Sequence, residues 1–258
     1  MYIKLRKPLS PQHSATASGL SIALLLVGWS IVSYGKLIDP FFLPTPSTIA
    51  WTIYSLFSEH NFLQDIFVSV LRVSVAFILS ALMAIPIGIA MSAFRVTASI
   101  LEPPIQFIRY LPVPALVPLT ILWIGIGEEA KIALLVIGTF FQLVLLVMDD
   151  TNNIPPEYEE LAYTLGAGAK DVLFRVVVPA ALPNIYDDLR ISLGWCWTYL
   201  LIGEIVAAET GIGHVIIEAQ RFANPEVVIA AVLIIGVIGL VSDQIFKRAG
   251  MLIFRYRY

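Results

Sequence analysis

Long apolar stretches, separated by short groups of charged residues, set the pattern of this chain. Several uncharged stretches reach the roughly 20 residues that a helix needs to cross about 30 Å of hydrocarbon. Stretches without Asp, Glu, Lys or Arg run over Pro8–Gly35, Val73–Phe94, Tyr110–Gly127 and Ile132–Met148. The predicted spans lie at about Ala17–Tyr34, Ile66–Phe94, Leu101–Ile126, Ile132–Met148, Ile185–Ala208 and Pro225–Ile245. The pattern therefore predicts an all-α membrane protein with about six transmembrane helices.

The spans divide the chain into three predicted parts. These are a cytoplasmic N-terminal segment over 1–16, a transmembrane domain over 17–246 and a basic cytoplasmic tail over 247–258. Lys4, Arg6 and Lys7 precede the first apolar stretch, as they would in a cleavable signal peptide. However, Ser30–Gly35 contains no clear small-x-small cleavage site. We therefore interpret the first stretch as an uncleaved span.

Composition supports a membrane protein. Hydrophobic residues make up 58% of the chain and charged residues 14%, whereas a soluble domain carries about 25% charged residues. The mean hydropathy is +0.84. Cys196 is the only cysteine, so neither an intrachain disulfide nor a metal site built from several thiolates can form. The net charge of −3 says little about partners, because the distribution of charge matters more than its sum.

The third predicted span is interrupted by prolines. Each proline removes a backbone N–H and frees a carbonyl, which lipid would not tolerate, so this backbone should face protein or a water-filled cavity. The prolines are Pro103, Pro104, Pro112, Pro114 and Pro118. Arg109 lies among them, and an intramembrane arginine is a functional hypothesis whose partner must be found. A structural ion pair with Glu204 is the alternative for Arg109, whereas Arg72 in the second span is expected to snorkel or pair.

Basic residues are distributed unequally between the two sides of the predicted bundle. Eleven fall on one side: Lys4, Arg6, Lys7, Arg95, Lys170, Arg175, Arg190, Lys247, Arg248, Arg255 and Arg257. Three fall on the other side: Lys36, Lys131 and Arg221. Because cytoplasmic loops carry the excess of Lys and Arg, both termini are predicted to be cytoplasmic. The polar loop Ile154–Pro183 then faces the cytoplasm as well.

This loop, Ile154–Pro183, has the pattern of a short amphipathic helix that stands outside the membrane. Two prolines suit its first turn, and acidic residues there interact favourably with the helix dipole. The apolar stripe consists of Tyr158, Leu161, Ala162 and Leu165, and the acidic residues are Glu157, Glu159 and Glu160. Gly166 follows where a helix commonly ends in a left-handed residue. Such a helix is shaped to fit a groove on a soluble partner.

The loop also resembles a known motif. Glu160-Leu161-Ala162, three residues, Gly166, nine residues and then Val176-x-Val178-Pro179 is similar to E-A-A-x3-G-x9-I-x-L-P. That pattern is the EAA loop of the transmembrane subunits of binding-protein-dependent ABC importers, with apolar replacements at three positions here. The stretches Leu111–Ile132 and Gly203–Gly213 look like the nitrate, sulfonate, taurine and bicarbonate branch of that family.

The resemblance implies a type I ABC importer permease fold in a bacterial inner membrane. Two copies would line one pathway, a substrate-binding protein would dock outside, and a separate ATPase would bind ATP and magnesium inside. The chain itself would carry no cofactor. The residues that would couple to the ATPase are Glu157, Tyr158, Glu160, Leu161, Ala162, Leu165 and Gly166.

Residues of the translocation pathway are harder to read from the sequence. A path for a small anion should offer positive or hydrogen-bonding groups at depth within the membrane. The candidates are Gln106, Arg109, Tyr110, Gln142, Trp197 and Glu204, with Tyr199 and the other tryptophans also available. In importers fed by a binding protein, however, these side chains could serve packing alone.

The sequence contains no recognisable catalytic machinery. It has no G-x4-G-K-[ST] phosphate loop and no G-x-S-x-G nucleophile motif, and its three histidines lack metal-ligand spacing. We therefore expect a transport subunit and not an enzyme. Two alternatives stay open: an ATP-independent secondary transporter or channel, and a membrane anchor for a cytoplasmic complex. The EAA-like loop and the absence of an internal repeat favour the importer.

Overall fold

The computed structural model describes residues 10–59, 61–207 and 209–255, which contain helices and no β-strand. Most of the predicted N-terminal segment, with Lys4, Arg6 and Lys7, lies outside the described residues, as does Arg257 in the predicted tail. The helices are α1 (Pro11–Tyr34), α2 (Pro46–Glu59), α3 (Phe62–Ala93), α4 (Arg95–Arg109), α5 (Val113–Ile124), α6 (Glu128–Asn152), α7 (Pro156–Thr164), α8 (Ala169–Val172), a π-helical turn (Leu173–Val177), α9 (Val178–Ala207), α10 (Ile212–Arg221) and α11 (Pro225–Ile253).

Four of these helices are long and apolar enough to span a membrane. They are α1, α3, α6 and α11, and the pair α4–α5 would make a fifth span with a bend of 103°. The remaining predicted span corresponds to α9, which has 30 residues but carries Asp187, Asp188 and Arg190 near its start. Length and composition alone thus support four or five spans. We assign α9 to the same bundle because of its packing.

Three helices, α3, α6 and α9, form the centre of the bundle. Their buried side chains meet in two apolar clusters, one containing Leu143, Val144 and Ile185 and the other containing Val73 and Leu135. α3 approaches α6 closely at Gly88, where an added Cβ would lie 2.7 Å from the carbonyl oxygen of Val144. This close approach explains why a glycine occurs in the interior of an otherwise apolar helix.

The third predicted span is not one continuous helix. α4 begins at Arg95 and ends at Arg109, and α5 begins at Val113 after the 103° bend. Pro112 at the start of α5 is extended, with φ −67° and ψ 116°, and it cannot donate a helical hydrogen bond. The prolines therefore do more than kink this span: they turn the chain back through more than a right angle.

Candidate functional site

The helix of the polar loop, α7, has defined ends. Pro155 precedes it and Pro156 occupies its first position, and its first turn contains Glu157 and Glu159. At its other end Gly166 has a φ of +85°, which L residues with side chains rarely adopt. The Gly166 N–H donates to Tyr163 O at 2.9 Å and the Ala167 N–H to Ala162 O at 3.0 Å. These two bonds form a Schellman motif, which ends the helix at a fixed residue.

The apolar stripe of α7 is mostly exposed. Tyr158, Leu161 and Leu165 are 51%, 61% and 80% exposed, while Ala162 at the edge of the stripe is buried. Ala162 packs with Val172 and Val177 in a small apolar cluster that joins α7 to α8 and the π-helical turn. The acidic residues Glu157 and Glu160 are also exposed. α7 therefore presents an apolar surface with an acidic start that nothing within the described chain covers.

A π-helical turn connects this loop to the bundle. In Leu173–Val177 the Val178 N–H donates to Leu173 O, five residues back. Pro179 follows, and its missing N–H leaves the usual acceptor four residues earlier without a helical donor. A π-helical turn changes the hydrogen-bond register at such a place. As a result α9 starts at Val178, earlier than the predicted Ile185, and runs directly from the loop into the bundle.

A cavity of about 330 Å³ lies at the break between α4 and α5. We call it the break cavity. Its lining consists of Ile108, Arg109, Tyr110, Leu111, Pro112, Val113, Pro114, Ile137, Gly138, Gln142 and Tyr199. It thus brings together four of the predicted pathway residues, Arg109, Tyr110, Gln142 and Tyr199. These residues come from the break, from α6 and from α9, so their meeting could not be inferred from sequence spacing.

The other predicted pathway residues lie elsewhere. Gln106 donates to Glu102 Oε1 at 2.8 Å, one helical turn away in α4. Trp197 lines a separate, apolar cavity between α3, α9 and α11. It is two residues from Tyr199, so the two aromatic side chains point to nearly opposite faces of α9. Glu204 belongs to neither cavity.

Glu204 is part of a charged cluster at the far end of the bundle. We use this name for Arg72, Glu128, Lys131 and Glu204. Arg72 donates from Nη1 to Glu204 Oε1 at 2.7 Å and from Nε to Glu128 Oε2 at 2.6 Å. Lys131 donates to Glu128 Oε1 at 2.7 Å. The expectation that Arg72 pairs is confirmed, and the alternative that Glu204 pairs with Arg109 is wrong, because Glu204 is buried against Arg72.

The turn before α10 completes the cluster. The Gly213 N–H donates to Glu204 Oε2 at 2.7 Å, and Thr210 O accepts from Arg72 Nη1 at 2.8 Å. Gly211 has a φ of +114°, and an added Cβ there would lie 2.4 Å from Glu204 Oε1. The sequence did not indicate this arrangement. Its only signal was a single acidic residue and a single basic residue in separate apolar helices, each of which needs a partner.

No group of three or more His, Cys, Asp or Glu in the described part of the chain could hold a metal ion. The charged cluster and α7 lie at opposite ends of α6, since α6 begins at Glu128 and ends just before the polar loop. At 1.5 Å per residue this separation is about 36 Å. The molecule therefore has an ion-paired end, an exposed loop helix at the other end and a cavity between them.

Comparisons with known proteins identify the family to which the sequence is similar. The model of the family described as binding-protein-dependent transport system inner membrane component matches residues 77–249. The chain is 33% identical to the taurine transport system permease protein TauC of Escherichia coli strain K12 over 246 residues, 93% of this chain and 89% of that protein. It is 26% identical to the nitrate import permease protein NrtB of Synechocystis over 250 residues, 93% of this chain and 90% of that protein.

A solved structure has a similar fold. A chain of the MetNI methionine ABC transporter in an inward-facing conformation superposes with a TM-score of 0.60. The sequence identity is 19%, and the match covers 72% of this chain and 95% of the other. At this identity the likeness concerns the fold alone, which is the type I ABC importer permease fold.

Proposed function

The chain belongs to the family of binding-protein-dependent transport system inner membrane components, and we propose that its loop helix α7 receives the force that drives import of a small anion. As a member of this family it is a multi-pass membrane permease, the transport subunit of an ATP-driven importer. ATP and magnesium bind to a separate ATPase subunit, and this chain holds no cofactor of its own.

The observation that carries the proposal is the exposed stripe of α7. Tyr158, Leu161 and Leu165 are large apolar side chains that remain exposed on a helix with well-defined ends. Apolar side chains next to acidic ones on a short, stiff helix suit a groove on a soluble protein. Lipid is a poorer partner, because the anionic headgroups of the inner leaflet repel Glu157 and Glu160. The partner of this surface is the ATPase.

Force on α7 reaches the bundle through the π-helical turn. α7 is attached to it by the buried contact of Ala162 with Val172 and Val177. The turn continues without a break into α9, which carries Tyr199 at the break cavity and Glu204 in the charged cluster. A shift of α7 therefore moves a helix that lines the cavity and that ends at the opposite side of the membrane. This connection gives a physical route for alternating access.

The remaining partners follow from the family and the topology. Two copies of the chain form one pathway within the lipid bilayer, and a substrate-binding protein delivers the cargo on the external side. Both termini and α7 lie in the cytoplasm, in line with the excess of basic residues there. The cargo is a small anion such as a sulfonate, taurine, nitrate or bicarbonate. Arg109 at the break cavity and the transport names of TauC and NrtB support this class.

Reconstitution tests the proposal against its alternatives. The chain is purified with and without its ATPase subunit, and uptake of radiolabelled taurine or of nitrate is measured in liposomes supplied with the binding protein. We expect uptake only with the ATPase and ATP. Uptake by this chain alone, at a rate that ATP does not change, would identify a secondary transporter or channel instead.

A further inference from the structure

The break cavity contains one cationic residue and, among its described lining, no carboxylate. Its polar groups are the guanidinium of Arg109, the amide of Gln142 and the hydroxyls of Tyr110 and Tyr199, and its other walls are aliphatic, proline or glycine. A positive charge held in a membrane bundle without a counter-charge is unfavourable. A ligand that brings one negative charge removes that cost.

The guanidinium of Arg109 contacts Tyr110 and retains hydrogen-bonding capacity. Nη2 donates to Tyr110 Oη at 3.0 Å, and Cζ lies 4.8 Å from the centroid of the same ring. Nε is buried and has no acceptor among the described residues. A buried donor without an acceptor destabilises a fold. Arg109 is therefore held against Tyr110, and no carboxylate or other acceptor among the described residues uses its Nε–H.

Gly138 controls the position of the second aromatic wall. A Cβ added to Gly138 would lie 2.5 Å from Tyr199 Cδ2 and 2.8 Å from Cε2, so the ring of Tyr199 rests directly on the α6 backbone. The Tyr199 ring also packs against the apolar cluster that contains Val113 and Val117 of α5. Any side chain at position 138 would have to push the ring away from α6, and the space open to it is the break cavity.

We propose that the break cavity binds a monovalent anion against Arg109, and that Gly138 sets the size of that anion by fixing Tyr199. The inference rests on the proposed function in one respect, since the bound anion is then cargo in transit. A volume of about 330 Å³ is on the order of ten water molecules at about 30 Å³ each. A nitrate or a short-chain sulfonate fits this space with part of its hydration.

The single charge of Arg109 favours monovalent over divalent anions. A dianion entering the cavity gives up hydration of two charges and meets one counter-charge, so its desolvation is only partly compensated. The neutral donors of Gln142 and the two tyrosines add hydrogen bonds without adding charge. The cavity therefore discriminates by charge at Arg109 and by size at Tyr199.

Anomalous scattering from iodide locates the site without requiring transport. Crystals of the permease–ATPase complex are soaked in iodide, and we expect an anomalous peak beside Arg109 in the break cavity. Arg109→Gln should abolish the peak, and Arg109→Lys, which keeps the charge, should retain it. The matched control is Arg221→Gln, which changes an exposed arginine of α10 and should leave the peak unaltered. Absence of the peak in the unmodified complex would overturn the proposal.

Competition soaks test the charge and size claims. Added nitrate should displace iodide from the break cavity, whereas sulfate at the same concentration should not. In Gly138→Ala, butanesulfonate should displace iodide at least about tenfold less well than in the unmodified protein, while displacement by methanesulfonate should change little. This is the effect expected when a pocket loses the space of one methylene group. Gly194→Ala is the control, because an added Cβ there meets no atom within 4 Å.

The outcomes separate this inference from the proposed function. If sulfate displaces iodide as effectively as nitrate does, the charge claim is refuted. If Gly138→Ala weakens competition by methanesulfonate as much as competition by butanesulfonate, the size claim is refuted. Neither readout depends on ATP hydrolysis. If the iodide peak is present but ATP-driven uptake is absent, the proposed function fails and the cavity assignment stands. If ATP-driven uptake is present and the iodide peak is missing, the cavity assignment fails and the proposed function stands.

Discussion

Arg72 and Arg109 both lie in apolar parts of the chain, but their surroundings differ. Arg72 donates to Glu204 at 2.7 Å and to Glu128 at 2.6 Å, so its charge is neutralised inside the bundle. Arg109 donates to the hydroxyl of Tyr110 and keeps a buried Nε–H without a described acceptor. This difference explains why we assign Arg72 to holding helices together and Arg109 to binding a ligand.

The pairing of these residues was only partly predictable. An isolated arginine in an apolar span indicates that a partner exists, and that indication was correct for Arg72. The identity of the partner depends on how α3 packs against α9, which brings together residues 132 positions apart. Sequence spacing contains no such information, and the same limitation led to the wrong alternative of a pair between Arg109 and Glu204.

At residue scale, Arg72→Met should destabilise the protein strongly. It leaves Glu204 buried without its cation, and loss of one partner from a buried ion pair costs about 3–5 kcal/mol. Thermal unfolding in detergent, followed by size-exclusion chromatography, measures the effect. The double variant Arg72→Met/Glu204→Leu should recover part of the loss, because the two changes are coupled.

A matched control for this variant is Arg175→Met. Arg175 pairs with Asp171 at 3.2 Å but its side chain is 80% exposed, so the pair contributes about 1 kcal/mol or less. The unfolding temperature of this variant should stay close to that of the unmodified protein. Equal destabilisation by Arg72→Met and Arg175→Met would mean that the charged cluster does not hold the bundle.

Gly211→Ala tests the same cluster from the turn before α10. Gly211 has φ 114° and ψ 163°, a region that is essentially restricted to glycine and costs an L residue about 1–3 kcal/mol, and the new Cβ also collides with Glu204 and Arg72. We expect a clear drop in unfolding temperature. Gly236→Ala serves as the control, because its position in α11 has open space and a helical alanine is favourable there. No difference between the two variants would contradict the geometry of the turn.

At the scale of elements, local signals were reliable where they act within one helix. The sequence predicted the loop helix and its end at Gly166, and the structure has α7 over Pro156–Thr164 with Gly166 in the left-handed region. Prolines predicted the interruption of the third span. They did not predict the bend of 103°, because a proline removes a hydrogen bond without fixing the direction of the next helix.

The start of α9 shows a second limit. The predicted fifth span starts near Ile185, whereas the helix that contains it begins at Val178. The π-helical turn over Leu173–Val177 accommodates the first proline, so the chain enters α9 directly from the loop. Such a change of register is not visible in hydrophobic periodicity. It matters here because it joins α8 to α9 in one continuous helical segment, against which α7 packs through Ala162.

Leu161→Glu should weaken binding of the ATPase while leaving the permease folded. Leu161 is 61% exposed, so the substitution changes stability by only about 0.5 kcal/mol. The substitution removes an apolar contact and places a carboxylate in the partner's groove. The affinity of the permease for the ATPase should therefore fall at least about tenfold, as for an interface hot spot. Binding of the purified ATPase to the permease in nanodiscs measures this. The control is Leu252→Glu. Leu252 is 64% exposed near the end of α11, and this variant should bind the ATPase with unchanged affinity.

Gly166→Ala should reduce coupling without preventing assembly. The left-handed φ of +85° is strained for alanine by about 1–2 kcal/mol, so the end of α7 should shift or fray. The number of ATP molecules hydrolysed per anion imported should therefore rise. Gly168→Ala, whose φ is −79°, is the control and should leave this ratio unchanged. An unchanged ratio in Gly166→Ala would show that the fixed end of α7 is not required.

At the scale of the whole molecule, the proposed function depends on the separation of three features along one bundle. The charged cluster holds one end, the break cavity lies between helices α5, α6 and α9, and α7 projects at the other end. The unequal distribution of basic residues predicts which end is cytoplasmic. The sequence indicated the membrane class, because that property is a sum over many residues, and the prediction of sidedness rests on a sum of the same kind. It could not indicate the cavity, which requires the packing of distant helices.

Site-specific photo-crosslinking tests the central claim, that the ATPase drives this permease through α7. A benzophenone amino acid is introduced in place of Tyr158, Leu161 or Leu165 or, as the control, Leu252, and the assembled importer is irradiated in its membrane. We predict a covalent adduct between this chain and the ATPase from position 161 and none from position 252. Absence of an adduct from Tyr158, Leu161 and Leu165 alike, in an importer that still takes up its anion, would contradict the account.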